Sequence, residues 1–133
     1  MTDLEKVKEK LINKNASLVV LRNKSIKEYY QDRVKDLVDI LTEDKNALKT
    51  AVVADKVIGK LAASIMAKAG VKEIYAIKLS KIAIPVLEEN NIKYEYEELI
   101  DYVKNKDKTG MCPMELKFKD EKDINKIYNE IVK

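Results

Sequence analysis

Residues 51–70, Ala-Val-Val-Ala-Asp-Lys-Val-Ile-Gly-Lys-Leu-Ala-Ala-Ser-Ile-Met-Ala-Lys-Ala-Gly, decide the fold, because they run from a short apolar segment straight into a helix. Ala51 to Ala54 reads as a buried strand. From Val57 to Ala69 apolar positions recur at helical spacing, and Gly70 is suited to ending that helix. Lys60, Ser64 and Lys68 form one narrow stripe, while Ile58, Leu61, Ala62, Ile65, Met66 and Ala69 cover the rest, so the helix is expected to be largely buried. Its start carries the chemistry. Asp55 is positioned to cap the first N–H groups, Gly59 leaves room for a close approach, and Lys60 adds a full charge where the helix dipole is already positive. A lysine there opposes the dipole by roughly a few tenths of a kcal/mol, so an anion is expected beside it: the Asp55 carboxylate, or a ligand phosphate or carboxylate.

Towards the N-terminus, Thr2 and Glu5 have capping-box spacing, and Leu4, Val7, Leu11 and Ile12 predict a first helix running to about Asn13. Ala16–Arg22 and Ser25–Tyr30 read as two strands joined by an Asn23-Lys24 turn. From Asp32, Val34, Leu37, Val38 and Leu41 mark a helix that ends in the polar run 42–46. Towards the C-terminus, Val71 to Leu79 is rich in β-branched and aromatic residues and predicts a central strand. Ser80 can cap the next helix, but Pro85 requires that helix to start later than Ser80. Ile92, Tyr94 and Tyr96 alternate with Lys93, Glu95 and Glu97, a strand with one charged face. A polar loop over 105–110, a helix opened by Cys112-Pro113, and a last helix beginning after Asp120, with Asp123 three residues along and Ile124, Ile127, Tyr128 and Ile131 as its stripe, complete the chain. Helix, hairpin, then alternating helices and strands predicts a three-layer α/β/α domain with a mixed sheet. There is no internal repeat or low-complexity linker.

Composition sets limits on function. The length of 133 residues fits one domain, and 46% hydrophobic with 37% charged residues is the balance of a globular protein. Lys+Arg 26 against Asp+Glu 23 leaves a formal charge of only +3, with the signs interleaved, which argues against nucleic acid as the partner. With one cysteine and no histidine, an intrachain disulfide, a Ser/His or Cys/His triad and a Cys/His zinc site are excluded. The N-terminus lacks the apolar core of a secretory signal and no apolar run has the length of a membrane span, so a cytoplasmic location is expected.

The segment Ile58-Gly59-Lys60-Leu61-Ala62-Ala63 resembles the opening of the active-site helix in the cytidine deaminase-like superfamily, whose active members carry His-Ala-Glu before small residues. Together with 54–60, Gly-Val-Lys-Glu-Ile-Tyr-Ala at 70–76 and Thr-Gly-Met-Cys-Pro-Met-Glu at 109–115, it is similar to a small prokaryotic family of uncharacterised proteins with a deaminase-like fold and no zinc motifs. The likeness covers about residues 16–118. It implies a cytidine deaminase-like arrangement with Ile58 in the histidine-ligand position and Lys60 in that of the proton-shuttling glutamate, and no Pro-Cys-x-x-Cys near Ser80. Zinc-dependent deamination is therefore not expected, nor any other cofactor, and Cys-Pro-Met-Glu at 112–115 offers one thiol and no metal site. Deaminase-like domains often associate, which makes a homo-oligomer the expectation by resemblance.

Three readings of function are open. In the first, Asp55, Gly59 and Lys60 with Asn105, Thr109 and Cys112 of the 105–115 loop bind a small anionic or nucleotide-like molecule. In the second, a metal-independent enzyme uses Cys112 or Lys60, with Glu115 as a further acid or base candidate; a thiol at a helix N-terminus near Lys106 and Lys108 is activated. In the third, the motifs serve folding, and the chain is a structural or protein-interaction domain. Each candidate also has a plain role: Asp55 and Glu115 as helix caps, Gly59 for close packing, Cys112 as a small buried hydrophobe, and Asn105 and Thr109 as solvated loop residues.

Overall fold

The computed structural model describes residues 1–31 and 34–132. Helix α1 (Asp3–Asn13) opens on the expected capping box, with the Thr2 hydroxyl accepting from the Glu5 N–H and the Glu5 carboxylate reaching back to Thr2. Strands β1 (Leu18–Arg22) and β2 (Ser25–Tyr29) form the expected hairpin. Its turn residues Asn23 and Lys24 both take positive φ, +52° and +67°, the backbone twist a two-residue hairpin requires. Helix α2 (Lys35–Glu43) buries Leu37 and Leu41; the helix start expected at Asp32 lies outside the described residues.

The stretch 51–70 departs from its sequence reading. Strand β3 (Val52–Ile58) is longer than Ala51–Ala54, and helix α3 (Lys60–Ala69) begins at Lys60 instead of Val57. Val57 and Ile58 fit a helical pattern and a strand equally well by polarity, but both are β-branched, and the sheet buries Ile58 completely. Gly59, in extended conformation, marks the change and is the N-cap of α3. Gly70 ends the helix at φ +87°, as expected. Of the polar stripe, Lys60 and Ser64 are buried and Lys68 is exposed.

After β4 (Glu73–Ser80), the Ser80 hydroxyl accepts from Ile82 N–H to start a single 3-10 turn, and α4 (Ile84–Glu89) follows with Pro85 in its first turn. Strand β5 (Lys93–Ile100), α5 (Pro113–Phe118) and α6 (Ile124–Ile131) complete the order; α6 starts three residues later than the expected position after Asp120, because the Asp123 carboxylate accepts from the Asn125 N–H and caps it there.

The sheet order is β2-β1-β3-β4-β5, with β1 antiparallel to β2 and β3, and β3, β4 and β5 parallel. Parallel neighbours need crossovers, and α3 and α4 supply them. On one face α1 buries Leu4, Val7 and Leu11 against Val19, Leu21, Val52, Ala54 and Tyr75. On the other, α2, α3, α4 and α6 enclose the larger core, with Ile65, Met66, Leu87 and Ile127 fully buried. Each such side chain contributes roughly 1.5–3 kcal/mol. The expected three-layer α/β arrangement with a mixed sheet is present, and it brings Gly59, Lys81 and Asp101 to one end, where the parallel strands finish.

Candidate functional site

That end is where open α/β sheets generally bind ligands. Here the chain fills it with its own side chain. Because Gly59 has no side chain to cap α3, the Lys60 N–H needs an acceptor, and Glu115 Oε1 supplies it at 2.7 Å. Glu115 Oε2 accepts from the Val103 N–H at 2.9 Å, so one carboxylate ties the helix start to the segment after β5. Glu115 is only 2% exposed. It does not close a capping box on its own helix: the Cys112 N–H donates instead to the Val103 carbonyl at 2.7 Å. The ten-residue α3 offers a better developed dipole than the six-residue α5, and its N-terminus takes the carboxylate.

Lys60 holds α5 at its other end as well. Its Nζ donates to the Lys119 carbonyl at 2.9 Å, satisfying one of the open carbonyls where α5 finishes. Burial pushes the Lys60 amine below its usual range, and the carboxylates of Asp120, Glu121, Glu115 and Glu89 partly offset this. The anion expected beside Lys60 is therefore Glu115, which sequence reading assigned to α5.

Asp55 lies elsewhere. It sits within β3, opposite Leu18 of β1 and Ala76 of β4, and its Oδ1 accepts from the Val57 N–H at 3.3 Å. It caps no helix, because α3 starts five residues later than Asp55. Burial raises its carboxyl to about 8, and the charge of Asp36 adds to the effect. Asn105 and Thr109 bond each other across the loop tip, Asn105 Nδ2 to Thr109 Oγ1 at 3.2 Å and Thr109 N–H to Asn105 Oδ1 at 3.0 Å, so their side chains are engaged within the loop. Cys112 is buried at the start of α5. The structure thus joins Gly59, Lys60 and Glu115, with Cys112 on the same tether, and separates them from Asp55, Asn105 and Thr109. Val103 and Lys119 complete the cluster through backbone atoms, for which side-chain chemistry gives no signal.

Ile58, wholly buried, and Lys60, whose amine already donates to a carbonyl, do not fit the zinc-ligand and proton-shuttle roles of a deaminase. Among the described residues no three His, Cys, Asp or Glu side chains are grouped to hold a metal ion. The two most evident grooves lie apart from the cluster. One, about 550 Å³, is lined by Lys8, Ile12, Tyr75, Glu95, Tyr96 and Glu97; the other, about 540 Å³, lies between the β1–β2 hairpin and α2. No candidate site residue from the sequence lines either one.

Gly59 is required by the closeness of this tether. A Cβ on residue 59 would lie 2.6 Å from Val103 Cγ2 and 2.8 Å from Glu115 Oε1. Gly59→Ala should destabilise the fold by about 1–3 kcal/mol and speed amide exchange at Val103. An unchanged melting temperature and unchanged exchange would show that the tether has slack.

The profile of a domain of unknown function (DUF1893), TM1506, matches residues 6–133. The chain belongs to the DUF1893 family. A crystal structure of a DUF1893 family protein (TM1506) from Thermotoga maritima is 30% identical, with a TM-score of 0.87 over 98% of this chain and 89% of that chain. No curated protein matches at a significant level. The DUF1893 likeness spans both helical layers and the sheet, and the family description states no activity. Among the described residues no helix is long and apolar enough to cross a membrane.

Proposed function

We infer that the protein is a zinc-free, cytidine deaminase-like domain that works by macromolecular interaction instead of catalysis. Three features support the deaminase-like part: the order helix, hairpin, helix, then strand–helix–strand–helix–strand; the mixed sheet; and Gly59-Lys60 opening the central helix. One observation carries the functional part. The Glu115 carboxylate occupies the N-terminus of α3, where a substrate or anion would otherwise be held, and does so from within the same chain. An intramolecular carboxylate with two N–H donors has an effective concentration far above that of a free metabolite. Lys60 bonds the Lys119 carbonyl and Cys112 is buried, so neither presents a reactive group to a substrate.

A second reading has a specific observation in its favour. The donors that hold Glu115 are those a small carboxylate or phosphate would use, and the Lys60 ammonium is close enough to feel the Glu115 charge. In that reading a ligand displaces Glu115 and the tether opens. A thermal-shift screen of nucleotides and metabolite anions separates the two. Under the interaction reading the parent protein shows no shift, and acetate partly restores the melting temperature of Glu115→Ala by filling the vacated position. A metabolite that stabilises the parent but not Lys60→Ala would overturn the interaction reading in favour of ligand binding.

A further inference from the structure

In a protein with a formal charge of +3, residues 88–101 carry six acids, Glu88, Glu89, Glu95, Glu97, Glu98 and Asp101, against the single base Lys93. The segment is therefore net −5. Strand β5, which holds Glu95, Glu97 and Glu98 together with Lys93, is the last strand of the sheet, bonded among the described residues to β4 alone. Among the described residues, no loop or cap backbone hydrogen bond involves residues 94–100. Its outer edge is thus an eight-residue row of open backbone donors and acceptors. The opposite edge, β2, is five residues long, and its Glu28 pairs with Lys10.

The face beside this edge is also open. Glu95 pairs with Tyr75 of β4, and Glu97 accepts from the Tyr75 hydroxyl at 3.4 Å, so both carboxylates lie on the α1 side of the sheet. There they line the 550 Å³ groove with Lys8, Ile12 and Tyr96, and Ile12 and Tyr96 are 51% and 42% exposed. Among the described residues Glu95, Glu97 and Glu98 form no ion pair. Lys8, which lines the groove, sits 4.9 Å above the Tyr75 ring, so this surface already accommodates a basic group.

We propose that the β5 edge is a docking site for an extended basic peptide segment of a partner protein, which adds as a sixth strand and sets alternate Lys or Arg side chains against Glu95 and Glu97. Backbone pairing supplies the attachment and the carboxylates select the partner. The same charges disfavour a second copy of β5, since edge-to-edge pairing would gather six glutamates and two lysines along one seam. This names a partner class for the interaction reading above and rests on it; the metabolite screen tests that reading without involving β5.

The probe is a fluorescent peptide of five Lys-Thr repeats, titrated into the full chain while backbone amide resonances are followed. Binding should perturb residues 93–100 and the Lys8–Ile12 turn, and the matching Glu-Thr peptide should not bind. The double variant Glu95→Lys/Glu97→Lys should melt as the parent does and bind at least about tenfold more weakly. Methylating alternate backbone nitrogens of the probe should remove binding while its charge is kept. Equal binding of the methylated probe, or of the double variant, would overturn strand addition. So would a concentration-dependent dimer whose contact maps to β5, which would assign the edge to a second copy.

Discussion

Replacing Glu115 by alanine should lower the thermal unfolding midpoint by roughly 10–15 °C, the largest effect expected of any single change at the α3 start. Two N–H groups, those of Lys60 and Val103, lose a buried carboxylate acceptor. Hydrogen bonds to a charged group contribute about 1.5–3 kcal/mol each, and abandoned donors keep their desolvation cost, so a total near 4 kcal/mol is expected. Glu115→Gln should lose about half as much, because an amide retains one acceptor oxygen but turns a nitrogen towards the second donor. Far-UV circular dichroism during heating measures both variants, and amide exchange should accelerate first at Lys60, Val103 and α5. A midpoint within about 2 °C of the parent for the alanine variant would refute the tether.

The Glu115 contact escapes sequence reading because of its geometry. Lys60 and Glu115 are 55 residues apart, and nothing local to either names the other. The charge at Lys60 does reveal that an anion belongs beside the helix start. Its identity is hidden because Asp55, nearer in the chain, satisfies the same rule on paper. Within α5 the burial pattern holds a clue: Glu115 and Phe118 are buried while Met114 and Leu116 are exposed, inverting the order that hydrophobicity alone would choose. A carboxylate on the inner face of a helix asks for donors from another element.

Where a feature depends on neighbours a few residues away, the sequence is legible. The Thr2–Glu5 capping box, the Asn23-Lys24 turn, Gly70 at the end of α3 and the delayed start imposed by Pro85 are all local, and all are present. The β3–α3 boundary fails for the opposite reason. From Val57 to Ala62 the apolar positions satisfy a helical face, and the competing strand is decided by pairing with Lys78 and Leu79 of β4, twenty-one residues away. That single shift moves Asp55 from a helix cap into the sheet.

Moving Asp55 into the sheet gives the chain a stability that falls as pH rises. The folded protein holds the Asp55 proton up to about pH 8, whereas an unfolded aspartate releases it near its ordinary value of 3.8. Between these limits the native state binds the extra proton, so the folding contribution is present at low pH and is lost as pH climbs through the window. Across roughly four pH units the swing is on the order of 5 kcal/mol, an upper figure for a carboxyl that local relaxation can partly rehydrate. Asp55→Asn should therefore leave stability near pH 4 little changed and raise it by several kcal/mol above about pH 8, since the amide oxygen still accepts from the Val57 N–H and carries no charge to bury. Urea titrations at about pH 4.5, 6.5 and 8.5 measure the two slopes. Asp36 is the neighbour whose charge adds to the burial cost, and it is fixed by Gln31 through its backbone N–H at 3.0 Å and its side-chain amide at 2.6 Å. Asp36→Asn should accordingly reduce the pH slope of the parent without abolishing it, because burial of Asp55 is the larger cause. Parallel slopes for the parent and Asp55→Asn would mean that Asp55 is ionised in the fold.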